Sequence, residues 1–265
     1  MTKTVLITGA TDGIGLEAAK EFAAKGHKVL LHGRSADKMT RALEQVGGGA
    51  EGYLADLTSL DATRTMASEI RTKHDRLDVL INNAGVLKAP QPIVDGMDVR
   101  LIVNTLAPYV LAQALLPIMP KDGRILNLSS AAQARVDMAT LTSGRKIDDM
   151  SAYSQSKLGI TIWSQEMAKA HPDGPTVIAV NPGSLLATNM VRDGFGIAGN
   201  DISIGSGILV ELALGEGYDA HSGQYWDNDA GRFGPPNAAA KDPGHVADVM
   251  AAIQRLVLSR DYQIL

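Results

Sequence analysis

Along this 265-residue chain, short runs of β-branched and apolar residues alternate with longer stretches whose apolar residues recur at helical spacing. The runs are Thr4–Ile7, Lys28–Leu31, Gly52–Leu54, Val79–Ile81, Arg124–Leu128, Thr176–Val180 and Gly223–Trp226. Between the first two, Ile14, Ala18 and Phe22 share one helical face, and Lys38–Val46 carries a second helical pattern. Strands separated by helices are joined by crossovers rather than hairpins, which makes the sheet parallel and puts helices on both of its faces. The expectation is an α/β, doubly wound parallel sheet of about seven strands. With no repeat, low-complexity tract or linker to divide it, the chain reads as a single domain over residues 1–265.

Several function classes drop out on composition. The net charge is −4 with both signs interspersed, so no basic field points to nucleic acid or an anionic membrane surface. There is no cysteine, which removes disulfides, thiolate metal sites and a cysteine nucleophile. No group of histidines or acids has metal-ligand spacing, and lone histidines such as His74 and His171 read as surface residues. Met1-Thr2-Lys3 leads straight into Val5-Leu6-Ile7, and no apolar run reads as long enough to span a bilayer. These features lead to the expectation of a cytoplasmic protein with no membrane partner.

The first strand runs into Thr8-Gly9-Ala10-Thr11-Asp12-Gly13-Ile14-Gly15, which opens a helix that Gly26 terminates. Glycines in a strand–turn–helix context permit a tight turn and let backbone amides approach a pyrophosphate at the positive end of the helix. A dinucleotide is therefore the expected ligand. The second strand ends His32-Gly33-Arg34-Ser35. An NAD site usually places an acid here for the ribose 2′-hydroxyl, whereas Arg34 offers a fork of donors to a 2′-phosphate. NADP is favoured; Asp12, near the same ribose, leaves NAD open. Asp56, followed by Leu57, ends the third strand within reach of an adenine amino group, and Thr58 with Asp61 resembles a helix-capping pair. The fourth strand ends Asn82-Asn83-Ala84-Gly85, at the carboxyl edge where open α/β sheets bind ligands.

The chemistry is placed on Tyr153 and Lys157, four residues apart on the face of a helix read from about Ser151 to Ala170. Bringing a phenol from pKa near 10 to about 7 needs roughly 4 kcal/mol, and an ammonium about 5 Å away supplies on the order of 3 kcal/mol at an effective dielectric of about 20. In the helix from about Asp98 to Leu116, Pro108 cannot donate to the carbonyl of Asn104. A kink there frees that carbonyl for a bound water. Ser130, at the end of the fifth strand, can hydrogen-bond a substrate carbonyl. Beyond Asn181-Pro182-Gly183, the segment holding Met190, Val191, Phe195 and Ile197 reads as a lid or a cover for the core. Leu87, Gln133, Leu186, Met190, Phe195 and Trp226 either line an apolar pocket or belong to the core. Gly231–Lys241 reads as a loop, and a last helix is expected near Val246–Leu258.

Thr8, Gly9, Gly13 and Gly15, then Asn82, Asn83, Ala84 and Gly85, then Asn104, Ser130, Tyr153, Lys157, Pro182 and Gly183 together resemble the short-chain dehydrogenase/reductase family along nearly the whole chain. The resemblance implies a Rossmann-type fold and hydride transfer between NADP(H), or NAD(H), and an aldehyde, ketone or secondary alcohol. It implies Tyr153 as acid/base and Ser130 as the group that holds the reacting oxygen. Lys157 would lower the Tyr153 pKa and bind the nicotinamide ribose, and Asn104 would hold a relay water. The implied coenzyme contacts are Gly9, Thr11, Asp12, Gly13, Ile14, Gly15, Arg34, Asp56, Leu57, Asn83, Ala84, Gly85, Tyr153, Lys157, Pro182, Gly183 and Thr188. Family members usually pair through the helices that carry Asn104 and Tyr153, so a homodimer or homotetramer is expected.

The long Ser130–Tyr153 interval and the Ser222-Gly223-Gln224-Tyr225-Trp226 strand look like the retinol dehydrogenase branch, here read without a membrane anchor. The stretch Ser184–Thr188 is one residue longer than the usual spacing. The alternative is a sensor or scaffold of the same fold that binds the dinucleotide without chemistry. Such a protein would be expected to have lost a reacting group, and all four are present.

Overall fold

A computed structural model of the chain describes residues 1–258, with Phe195 described by its backbone alone. Eight strands form its main sheet: β1 (Thr4–Ile7), β2 (Lys28–Gly33), β3 (Glu51–Leu54), β4 (Val79–Asn82), β5 (Arg124–Leu128), β6 (Thr176–Asn181), β7 (Tyr225–Asp227) and β8 (Arg232–Gly234). Their order is β3-β2-β1-β4-β5-β6-β7-β8, parallel throughout except that β8 runs antiparallel to β7. The eighth strand replaces part of the loop expected after Gly231. Gly231 turns the chain at φ 63° and Phe233 meets Trp226 edge-on at 5.0 Å, a pairing that one aromatic among Gly, Pro and Ala does not announce.

Strands β1, β4, β5 and β6 have apolar residues buried on both faces, so the sheet is covered twice over. One layer holds α1 (Gly13–Ala24) and α2 (Ala36–Val46); the opposite layer holds α3 (Leu60–Lys73), α4 (Val99–Ile118) and α5 (Asp149–Ala170). Later in the chain, α6 (Ser203–Leu214) packs on α1, and α7 (Pro243–Leu258) packs on α5. The strand order reverses between β1 and β4, whose carboxyl ends open side by side. That crevice is where a ligand is expected in a sheet of this kind.

Several local expectations are corrected. Asp56 receives the Thr58 amide at 2.9 Å and Ser59 caps α3 by accepting from Ala62 at 3.2 Å, so Thr58 and Asp61 form no capping pair. His74 is buried, with its Nε2 2.7 Å from the Tyr53 hydroxyl, because β3 and the end of α3 enclose it. Helix α4 does not merely kink at Pro108. It widens into a π-helical turn over Ile102–Leu106, with the Ala107 amide donating five residues back to Ile102, and resumes α geometry with Pro108 in its first turn. Its 20 residues make it the one helix, among the described residues, long and apolar enough to cross a membrane, although most of it is buried inside the protein.

Helix α5 is buried from Ala152 to Ser164 apart from the half-buried Tyr153 and Gln155. Val249 and Ile253 of α7 share one core with Trp163 of α5 and Tyr109 of α4, and the end of α7 is tied to α3 by the Arg64 guanidinium, which donates to the Val257 carbonyl at 2.8 Å. Of the helices expected to pair between copies, α5 is thus partly covered by α7 within one chain.

Candidate active site

The glycine turn is built by close approach. At Gly15 a Cβ would lie 2.5 Å from Asn83 Nδ2 and 2.6 Å from the Gly9 carbonyl oxygen, which only glycine avoids. At Gly13, with φ +60°, a Cβ would meet nothing nearer than a Thr188 methyl at 3.7 Å, so the space beside it is open to the crevice. Asn83 Nδ2 donates to the carbonyls of Thr8 at 2.7 Å and Gly9 at 3.2 Å, and Thr8 Oγ1 accepts from the Ala84 amide at 3.0 Å. The two strand ends are therefore stitched together behind the turn. His32 adds a third stitch: its Nδ1 accepts from the Gly9 amide at 3.2 Å, which leaves the proton on Nε2, 3.1 Å from the Ala55 carbonyl.

The crevice has a volume of about 630 Å³. Its walls include Gly9, Thr11, Asp12, Gly13, Ile14, Arg34, Asp56, Leu57, Asn83, Ala84, Gly85, Tyr153, Lys157, Pro182 and Thr188. Of the expected coenzyme contacts, Gly15 and Gly183 stand behind these walls and act through packing and the turn of the chain. Asp12 caps α1 at the Gly13 amide (2.8 Å), pairs with Lys38 at 3.3 Å and accepts from the Asn189 side-chain amide. Its carboxylate is thereby engaged. Lys38, which the sequence reading passed over because it lies one turn into α2, stands with the exposed Arg34 at the same end.

At the other end, Lys157 is 3% exposed and donates to the Leu128 carbonyl at 2.7 Å, and its Nζ lies 5.5 Å from the centre of the Tyr153 ring. With its ammonium stripped of water, burial pulls the Lys157 pKa down to about 7. Burial pushes the Tyr153 phenol up, and its hydrogen bond with Ser130 opposes that rise. The depressed phenol expected from the sequence is therefore not a property of the chain alone, because the same burial that shelters the phenol also discourages the lysine's charge. Ser130 Oγ accepts from the Ala132 amide at 3.1 Å, which fixes the hydroxyl and leaves its proton free to donate. A Cβ on Gly85 would lie 3.4 Å from both Lys157 Nζ and Asn104 Oδ1, so the missing side chain keeps this floor open.

Asn104 is 1% exposed and its side chain is fully used. Oδ1 accepts from the Val86 amide at 2.8 Å; Nδ2 donates to the Val86 carbonyl at 3.0 Å and to Ser156 Oγ at 2.9 Å. Ser156 in turn donates to the Tyr153 carbonyl at 2.7 Å. The side chain of Asn104 thus joins the loop after β4 to the helix that carries Tyr153, and Ser156 is the link that spacing alone did not single out.

Comparison with known proteins decides what this arrangement belongs to. Residues 3–195 match the sequence model of the short chain dehydrogenase family. The chain is a member of the short-chain dehydrogenase family. Human retinol dehydrogenase 13 is 35% identical over 193 residues, 68% of this chain and 58% of that protein, so the match spans little more than half of the relative's length. The short-chain dehydrogenase chyC of Penicillium rubens is 34% identical over 229 residues, covering 84% of this chain and 85% of that one. Among solved structures, an uncharacterized protein from Mycobacterium paratuberculosis superposes with a TM-score of 0.78 at 27% identity, over 96% of this chain and 93% of its own. A short chain dehydrogenase from Burkholderia cenocepacia in complex with NADP gives a TM-score of 0.70 at 27% identity over 85% and 95%.

In this short-chain dehydrogenase most of the residues set down as pocket or core prove to be core. Among those whose side chains are described, Met190 alone lines the crevice. Leu87 and Leu186 are buried, and a Cβ on Gly194 or Gly205 would strike them. Trp226 packs against Tyr218 and Phe233, and Gln133 is taken up by hydrogen bonds to backbone groups. The Phe195 side chain lies outside the described residues. The segment after Gly183 forms a short helix, Asn189–Phe195, capped by Thr188 and tied across the crevice where Lys88 Nζ donates to the Asp193 carbonyl at 3.0 Å.

Proposed function

We propose that the chain reduces an aldehyde or ketone with NADPH, or oxidises the corresponding alcohol with NADP, using Tyr153 as the general acid or base. The observation that carries this reading is the Tyr153 hydroxyl held against Ser130, with the buried Lys157 5.5 Å from its ring, at one end of a dinucleotide-sized crevice. The open space beside Gly13 and the amino end of α1 fit a pyrophosphate, with the Gly13 amide itself held by Asp12, so the residues present suit the coenzyme. When bound, the nicotinamide supplies or takes the hydride. Ser130, its lone pair engaged by Ala132, donates to the substrate oxygen. Tyr153 passes its proton to that oxygen in reduction and recovers it in oxidation. Lys157 holds the nicotinamide ribose and favours the phenolate when charged, and the Asn104 carbonyl holds the relay water that returns protons from solvent.

Preference for NADP rests on charge. Arg34 and Lys38 stand at the adenosine end, while Asp12, an acid near the same ribose, is engaged by Lys38, the α1 amide and Asn189. The protein is expected to act on small molecules with apolar substituents, since Val86, Ala89, Val94 and Met190 line the crevice. The name of the human relative makes retinoids one class to include. The test is a panel of aldehydes, ketones and retinal followed by NADPH absorbance, with both coenzymes titrated into the wild type and into Arg34→Ala with Lys38→Ala. NADPH is expected to bind at least tenfold more tightly than NADH, with the advantage lost in the double variant. Equal affinities in the wild type would overturn the coenzyme assignment, and a silent panel would overturn the reaction.

A further inference from the structure

The catalytic reading leaves unexplained what holds Ser130 in place, since its loop leaves β5 and runs 23 residues before Tyr153. Its backbone carbonyl accepts two hydrogen bonds, from Gln133 Nε2 at 2.9 Å and from the Tyr225 hydroxyl at 3.0 Å. Gln133 is fixed in turn by the far end of the chain. Its Oε1 accepts from the Asn237 amide at 3.0 Å, and its own carbonyl accepts from Asn237 Nδ2 at 3.0 Å. Further along the loop, His245 Nε2 accepts from the Val136 amide at 3.3 Å and Arg135 pairs with Asp242 at 2.9 Å. Tyr225 is buried on β7 and is not among the residues lining the crevice. Its hydroxyl meets the Gln133 side chain as well as the Ser130 carbonyl, so both belong to one clamp.

We propose that Tyr225, with the Gln133–Asn237 clamp, is a positioning residue: it sets the Ser130 hydroxyl for the substrate oxygen and for Tyr153, although it touches neither. The inference rests on the proposed roles of Ser130 and Tyr153. A displaced Ser130 weakens its hydrogen bond to the Tyr153 phenol, and that bond is what opposes the rise of the phenol's pKa. Loss of the Tyr225 hydroxyl therefore affects the rate and the pH profile together and leaves the coenzyme site alone.

The experiment is a double-mutant cycle on the full chain, with NADPH and the carbonyl compound the wild type reduces fastest. The variants are Tyr225→Phe, Ser130→Ala and the pair, with Gln133→Leu as a second route to the same carbonyl. Tyr225→Phe is expected to lower kcat about three- to tenfold, the effect of one hydrogen bond. KM and the NADPH Kd should stay within twofold, and the alkaline limb of the pH profile should move up. In the Ser130→Ala background the same change should cost nothing further, and Gln133→Leu should behave alike. An undiminished kcat, a loss that simply adds to that of Ser130→Ala, or an equal loss of NADPH affinity overturns the proposal. Tyr153→Phe is run alongside: if it keeps full turnover, the failure belongs to the catalytic reading and not to Tyr225.

Discussion

Replacing Lys157 with methionine should abolish turnover and yet make the folded protein more stable. The ammonium is 3% exposed, and burial takes its pKa from 10.5 to about 7. At roughly 1.4 kcal/mol per pH unit, the folded state gives up about 4 to 5 kcal/mol at neutral pH, an order-of-magnitude figure, relative to a chain with no group to charge. Methionine keeps much of the stem but strands the Leu128 carbonyl that Nζ holds at 2.7 Å, a loss of about 1 to 3 kcal/mol. The net expectation is a gain of about 2 kcal/mol at pH 7. Because the folded pKa is depressed, the unfolded chain binds the extra proton between about pH 7 and 10.5, so wild-type stability must rise with pH across that window. Lys157→Met should lack this contribution. Urea unfolding of both proteins at pH 7 and 9.5 measures it; above pH 10 the tyrosines Tyr53, Tyr153 and Tyr225, all pushed up by desolvation, turn the slope the other way. A variant less stable than the wild type at pH 7, or a difference independent of pH, would refute the reasoning.

Other outcomes follow from the same geometry. Gly15→Ala should cost about 3 kcal/mol or more in urea unfolding, since its Cβ would strike Asn83 and Gly9 at 2.5 to 2.6 Å. Below about pH 6.5 stability should fall: burial holds His32, His74 and His245 below their ordinary value, so the unfolded chain takes up protons first and the loss is complete once pH passes the folded values; thermal melts from pH 7.5 to 4.5 read the slope. Arg100→Met should cost about 3 to 5 kcal/mol, because it leaves Asp98 charged, buried and without the guanidinium now 2.7 Å away. If the helices that carry Asn104 and Tyr153 pair between copies, light scattering on a sizing column should give twice or four times the 28.0 kDa of one chain; the mass of one chain would refute the pairing.

The parallel sheet was legible because its strands are short, apolar and buried, and because helical stretches separate them. The glycine turn and the Tyr153–Lys157 pair were legible because each lies within eight residues. What escaped has its cause at a distance or in a single residue. Tyr225 meets Ser130 across 95 positions, and no periodicity marks one hydroxyl on the three-residue strand Tyr225–Asp227. Lys38 resembles any solvated lysine until α2 brings it to Asp12. Pro108 announced a broken ladder, but not that the helix would answer by widening into a π-helical turn over Ile102–Leu106 rather than by a kink alone. The raised phenol of the chain without coenzyme has a related cause: proximity to a lysine was visible in the spacing, whereas the burial that discourages that lysine's charge was not.

The central claim is that the Tyr153 hydroxyl delivers the proton to a substrate oxygen beside bound coenzyme. Its most direct test is single-turnover carbonyl reduction by enzyme preloaded with NADPH, comparing the wild type with Tyr153→Phe and measuring each NADPH Kd. The account predicts a rate lower by about a thousandfold or more with a Kd within threefold. A Tyr153→Phe enzyme that reduces its substrate at the wild-type rate would contradict it.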